Sequence, residues 1–165
     1  MRGYLYEITT NKSELGLAEL EKYSLSVMES DPDAIFWVEE IRNLPGNQLK
    51  EPMILNMAAV YGLEIEPVME NGEVVYYKSV ITEESKEKYF SRKLMTLKET
   101  VQKIDAAAFS NNSVAEILSD MVINRNGNCV IDLEIDPKDM IPMDTWFRLA
   151  EPETEIYIGR CGIIH

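Results

Sequence analysis

Histidine and cysteine are nearly missing from this chain of 165 residues: one histidine, His165, and two cysteines, Cys129 and Cys161. One terminal histidine supplies neither the paired ligands of a zinc site nor a positioned base for a serine or cysteine nucleophile. Two thiols make no disulfide framework; they read as small buried residues of a reducing, cytoplasmic setting. Long hydrophobic runs are missing too. The longest uncharged stretch, 52–63, is too short to cross a bilayer, and no apolar signal segment follows Met1 and Arg2. Gly46, Gly62, Gly72 and Gly127 are single turn residues, and nothing resembles a phosphate-binding loop or dinucleotide fingerprint. These absences leave no catalytic residue and no cofactor to name.

Positive charge is scarce as well. Sixteen Lys and Arg face 29 Asp and Glu, a net charge of -13. Residues 78–103 hold seven bases against four acids, +3, which leaves −16 on the remainder. Such a surface repels phosphate backbones, so direct nucleic-acid binding is disfavoured, and it attracts a partner protein with a basic surface. The bland reading of the acidity is solubility.

What is present is a folding pattern. The hydrophobic fraction of 45% and the length suit one globular domain spanning 1–165. Around 83–106 the apolar residues Phe90, Leu94, Leu97, Val101, Ile104 and Ala108 step by four, three, four, three and four, one face of a long helix. Thr82 caps its start, and Glu83 and Glu84 suit the positive end of its dipole. Met95 and Tyr89 widen the stripe, which is expected to be covered by the rest of the chain, with a dimer seam as the lesser reading. The bases of this helix are expected to pair within it, as Glu84 with Lys88, or with acidic neighbours in the fold.

Elsewhere, 4–9 alternates as a strand with Tyr4, Tyr6 and Ile8 on one side and Leu5, Glu7 and Thr9 on the other. Helices are expected over 14–29, from Pro32 to about 43 with Trp37 and Ile41 on one face, and over 52–61 with Gly62 as its stop. The last of these is apolar nearly all round and is expected to be buried on most sides. Asn71-Gly72 predicts a tight hairpin pairing Met69 with Val74 and Pro67 with Tyr76; Pro67, lacking an N–H, places its strand at an edge. Ser113 opens a further helix. Residues 129–136 alternate as a strand, with Cys129, Ile131, Leu133 and Ile135 inward and Val130, Asp132, Glu134 and Asp136 outward. A short helix carrying Trp146 and Phe147 follows Pro142, and a last strand starts at Glu155. Grouped helices and an antiparallel hairpin predict an α+β fold: an antiparallel or mixed sheet of about five strands with helices packed against it.

The one metal candidate is Asp132, Glu134 and Asp136, since carboxylates suit Mg²⁺ or Ca²⁺. Alternate strand residues lie about 7 Å apart, too far for one ion, and a solvated outer face is the favoured reading. Three functions remain. The first is a non-catalytic intracellular protein that binds another macromolecule. The second is an acidic mimic of nucleic acid, as from a phage or mobile element, that inhibits a DNA- or RNA-binding protein through Glu14, Glu19, Glu21, Asp31, Asp33, Glu39, Glu40, Asp132, Glu134 and Asp136. The third is a metal-dependent hydrolase or nuclease built on the carboxylates near Asp132.

Overall fold

The computed structural model describes residues 3–16, 38–41, 50–105, 107, 114, 129–131 and 141–164. They form one seven-stranded sheet. Its strands are β1 (Gly3–Thr9), β2 (Val38–Glu40), β3 (Ile65–Glu70), β4 (Glu73–Ile81), β5 (Cys129–Ile131), β6 (Ile141–Pro142) and β7 (Thr154–Ile164). The order is β3-β4-β7-β1-β5-β6, with β2 also beside β7. Only β1 and β5 run parallel; every other pair is antiparallel. The helices are α1 (Lys50–Tyr61), α2 (Glu83–Gln102) and α3 (Met143–Leu149). This is an α+β fold with a mixed sheet, larger than expected because β2 and β6 are too short to show a period. A proline stands in each outer strand, Pro67 in β3 and Pro142 in β6, where a missing N–H is tolerated and discourages further pairing.

β1 lies between β7 and β5, and every residue from Leu5 to Thr9 is buried. The alternation in its sequence therefore separates two covered faces, not core from solvent. Tyr6, Ile8, Ile156 and Ile158 of the sheet join Ile54, Met57 and Tyr61 of α1 and Phe147 of α3 in one core. Val130, expected to face outward, is also buried in it.

The hairpin forms where expected. Asn71 and Gly72 have φ of 53° and 85°, and Met69 pairs with Val74. One residue further the register shifts, so that Val68 meets Tyr76 and Pro67 meets Tyr77 instead of Tyr76. The bulge inserts an extra residue on β4 and exchanges its faces. Tyr77, Ser79 and Ile81 are consequently buried, whereas Val75 and Val80 are exposed.

Three helical expectations change. Residues 38–40 are a strand, not part of a helix: Val38, Glu39 and Glu40 pair with Ile164, Ile163 and Gly162, a non-local ladder that overrides local propensity. Glu14 ends a 3-10 turn capped by Asn11, and residues 15 and 16 form a turn; the rest of that expected helix lies outside the described residues, as does most of the one opened at Ser113. α1 ends at Tyr61, with Gly62 at φ 66°, but it buries only one side; Leu55, Asn56 and Ala59 are exposed.

α2 begins at a reciprocal cap in which Ser85 N–H donates to Thr82 Oγ1 and Thr82 N–H to Ser85 Oγ, both at 3.1 Å. It meets the fold through Tyr89, at the margin of its apolar stripe, and not through the middle of that stripe. Tyr89 is buried against Tyr61 and Phe147, with ring centroids 5.1 Å apart in both cases. The bases nearby are turned to neighbouring elements. Arg92 donates to Ala59 O and Val60 O at the end of α1 (3.0 Å each), Lys86 to Ala150 O after α3, and Lys93 pairs with Asp144 at 2.6 Å. Lys88 pairs with Glu84 at 2.7 Å. Lys86, Lys88, Arg92 and Lys93 thus answer helix-end carbonyls and carboxylates of the same chain. Of the expected stripe Tyr89 is buried, but the burial of the rest is overturned: Phe90, Leu94, Met95, Leu97 and Val101 stand between 43% and 56% exposed. Among the described residues no helix is long and apolar enough to cross a membrane.

Candidate functional site

β4 and β2 run along the same side of β7 and do not meet. Pairing with β4 stops at Ile158, opposite Tyr77, and pairing with β2 covers Gly162 to Ile164, starting at Glu40. Ile41 N–H donates to Cys161 O at 2.9 Å, which leaves Gly159 and Arg160 facing the gap. A cleft of about 310 Å³ opens there, with Val75 and Tyr76 on one bank and Glu40 and Ile41 on the other. Glu7, Leu15, Gly16, Lys50, Gly159 and Arg160 complete its lining.

Opposite the gap, β1 also loses register, between Tyr6 and Ile8. The Glu7 carboxylate fills that irregularity. It is fully buried, accepting the Arg160 N–H at 2.9 Å on Oε2 and the Gly16 N–H at 2.8 Å on Oε1. A carboxylate is tolerated at such depth when N–H donors replace its water. Gly159 makes the approach possible: a Cβ there would fall well inside contact distance of Glu7 Oε2 and 2.9 Å from Leu15 Cδ2.

Two cations face the same space. Arg160 Nε stands 3.6 Å from Glu40 Oε1. Lys50, the first residue of α1, is half-buried. Burial lowers the Lys50 ammonium from its ordinary range, although Cys161, Glu7 and Glu40 act to raise it and only Arg160 acts with burial. The neighbouring Cys161 thiol is pushed up to about 11, chiefly by burial, and so is not activated as a nucleophile.

The chain matches no protein-family model, no curated protein and no solved structure. What the site does must come from its own chemistry.

The carboxylates singled out in the sequence, Asp132, Glu134 and Asp136, lie outside the described residues. Of the acids considered for mimicry, three are described. Glu39 is exposed; Glu14 accepts from Asn11 Nδ2 at 3.1 Å, and Glu40 faces Arg160. The sequence reading missed Glu7, Glu40, Lys50 and Arg160 as a group, because four separate elements bring them together. The available signals were a lone glutamate in an otherwise apolar and aromatic strand, and two glycines, Gly159 and Gly162, inside a long one; such glycines mark bulges and close approaches. A larger hollow of about 430 Å³ lies between the β3–β4 hairpin and the start of α2, but both lysines lining it are paired, Lys78 with Glu155 and Lys88 with Glu84.

Proposed function

We propose that this protein acts without catalysis, by binding another protein along the outer face of α2. One observation carries the reading: five large apolar side chains lie exposed on a helix whose other side is fastened to the fold. Single exposed apolar residues mean little, but a continuous row marks a contact surface. The four-three spacing of Phe90, Leu94, Leu97 and Val101 suits an amphipathic helix laid along it.

A second copy of the chain is the weaker occupant. Two copies, each with a net charge of -13, repel one another. The partner is therefore a different protein that offers its own apolar helical row. A net charge of -13 adds long-range attraction for a basic one. A cytoplasmic setting belongs to the same proposal and suits the free, buried Cys161. Nucleic-acid mimicry has less to draw on, because Glu14 and Glu40 are engaged within the fold. The hydrolase reading draws on no described residue.

The test compares the wild type with a Leu94→Glu, Leu97→Glu variant, each immobilised and exposed to one cell lysate at low and high salt. A protein retained by the wild type at high salt and lost by the variant, with an unchanged circular dichroism spectrum, supports the proposal. Equal capture by both overturns it, and sedimentation showing a wild-type dimer replaces the partner with a second copy.

A further inference from the structure

The heptad spacing of α2 starts before its apolar residues. Glu83 and Glu87 precede Phe90 by the same steps, so the row reads Glu83, Glu87, Phe90, Leu94, Leu97 and Val101 at intervals of four, three, four, three and four. All six are exposed. One line along the helix thus carries negative charge at its start and apolar surface beyond. Lys98, also exposed, flanks the far end of the row beside Leu97. The bases of the first half of α2 are turned to other partners: Lys86 to Ala150 O, Lys88 to Glu84, Arg92 to Ala59 O and Val60 O, and Lys93 to Asp144. Glu83 and Glu87 stand four residues apart, and like charges at that spacing destabilise a helix. The helix dipole compensates Glu83 in the first turn; Glu87 lies one turn further on, where the dipole has faded.

Resting on the reading of α2 as a contact surface, we infer that the partner is a helix lying antiparallel to it. That helix carries an acidic residue near its start, an apolar row through its middle, and lysines or arginines in its last two turns. Antiparallel docking sets the basic end against Glu83 and Glu87 and the acidic end beside Lys98. Each charge of the partner then also suits its own helix, since anions are favoured at an N-terminus and cations at a C-terminus. A parallel partner with the same complementarity would carry bases at its start and acids at its end, against its own dipole at both. Charges in and beside an apolar seam set register and direction, while the apolar residues supply the affinity. The net charge of -13 favours a partner whose bases outnumber its acids. Glu83 and Val101 lie about 27 Å apart along the helix at 1.5 Å per residue, so about five turns of partner helix cover the row.

The experiment titrates the full chain with two synthetic fluorescent helical peptides of about five turns, followed by anisotropy at low and high salt. The first has glutamates in its first turn, leucines at four-three spacing, and lysines in its last two turns. The second has the same composition with glutamates and lysines exchanged. Wild type, a Glu83→Gln, Glu87→Gln variant and the Leu94→Glu, Leu97→Glu variant are titrated alike. At low salt the wild type should bind the first peptide about tenfold more tightly than the second, because each exposed charge pair is worth up to about fivefold. High salt, or the Glu83→Gln, Glu87→Gln variant, should narrow that preference to about threefold or less. A nitroxide at the C-terminus of the first peptide should broaden amide NMR signals around Glu83 and Glu87 more than those around Lys98. Equal affinity of the two peptides for the wild type, or broadening centred on Lys98, overturns the antiparallel inference and leaves α2 standing as the contact surface. Equal binding of the first peptide by the wild type and the Leu94→Glu, Leu97→Glu variant overturns both. Binding of neither peptide overturns the inference, while the lysate comparison decides the reading of α2 by itself.

Discussion

The Lys93 ammonium stands 2.6 Å from Asp144 Oδ2 and joins α2 to the first turn of α3. The other oxygen of the same carboxylate accepts from Tyr61 OH, at the end of α1, at 2.7 Å. One side chain therefore holds three helices in register. Burial acts to raise the Asp144 pKa, but the hydrogen bonds from Lys93 and Tyr61 outweigh it and hold the carboxyl below its ordinary 3.8. Burial and Asp144 push the Tyr61 phenol up, which keeps it a donor.

Asp144→Asn should lower stability at neutral pH by about 1.5–3 kcal/mol, the range for hydrogen bonds to a charged group. The folded-state pKa is depressed, so this contribution is present above the ordinary carboxylate value and is lost as pH falls through the folded one. Urea titrations of wild type and variant should therefore diverge at pH 7 and converge as the pH falls below the ordinary 3.8 and through the depressed folded value. A constant difference across that window would show that the charge of Asp144 is not what matters.

Gly159→Ala forces a methyl group against Glu7 and Leu15. It should cost about 1–3 kcal/mol, as overpacking does. Glu7→Ala removes the carboxylate and leaves two buried N–H groups without acceptors, at about 2–4 kcal/mol. In the double variant the added methyl should cost less than half what it costs alone, because the main obstacle is gone. Strict additivity in a denaturation cycle would separate the two residues.

Leu94 is half exposed, so Leu94→Glu should change stability by no more than about 0.5 kcal/mol, as surface changes do. Tyr89→Ala, on the fastened side of the same helix, should cost about 3–5 kcal/mol. A loss above about 2 kcal/mol for Leu94→Glu would mean that the stripe is covered within the monomer.

Thr82→Ala removes one half of the reciprocal cap and should cost about 1 kcal/mol. Hydrogen exchange should quicken in the first turn of α2, most at the amide of Ser85, and stay unchanged around Tyr89 and beyond. Uniform quickening along the helix would assign Thr82 a wider role.

Local chemistry was legible from the residues themselves. Asn71-Gly72 demanded positive φ and obtained it; Thr82 capped α2; Gly62 stopped α1; Pro67 lay at an edge. Each depends on one or two backbone angles or one missing N–H, properties a residue carries wherever it stands. The α+β class followed from the same punctuation and from the grouping of apolar periods.

Tertiary structure alone decided which periods face the core. The four-three stripe of α2 and the alternation of β1 are real, yet one points outward and the other separates two buried faces. A period states which side chains share a side, not what will cover it; that depends on neighbours far along the chain. The cleft belongs to the same class of fact. Glu7, Glu40, Lys50 and Arg160 come from β1, β2, α1 and β7, and they meet because β2 and β4 share one side of β7 without touching. No local pattern encodes that gap, since it arises from long-range pairing, where register is set by contacts between distant segments.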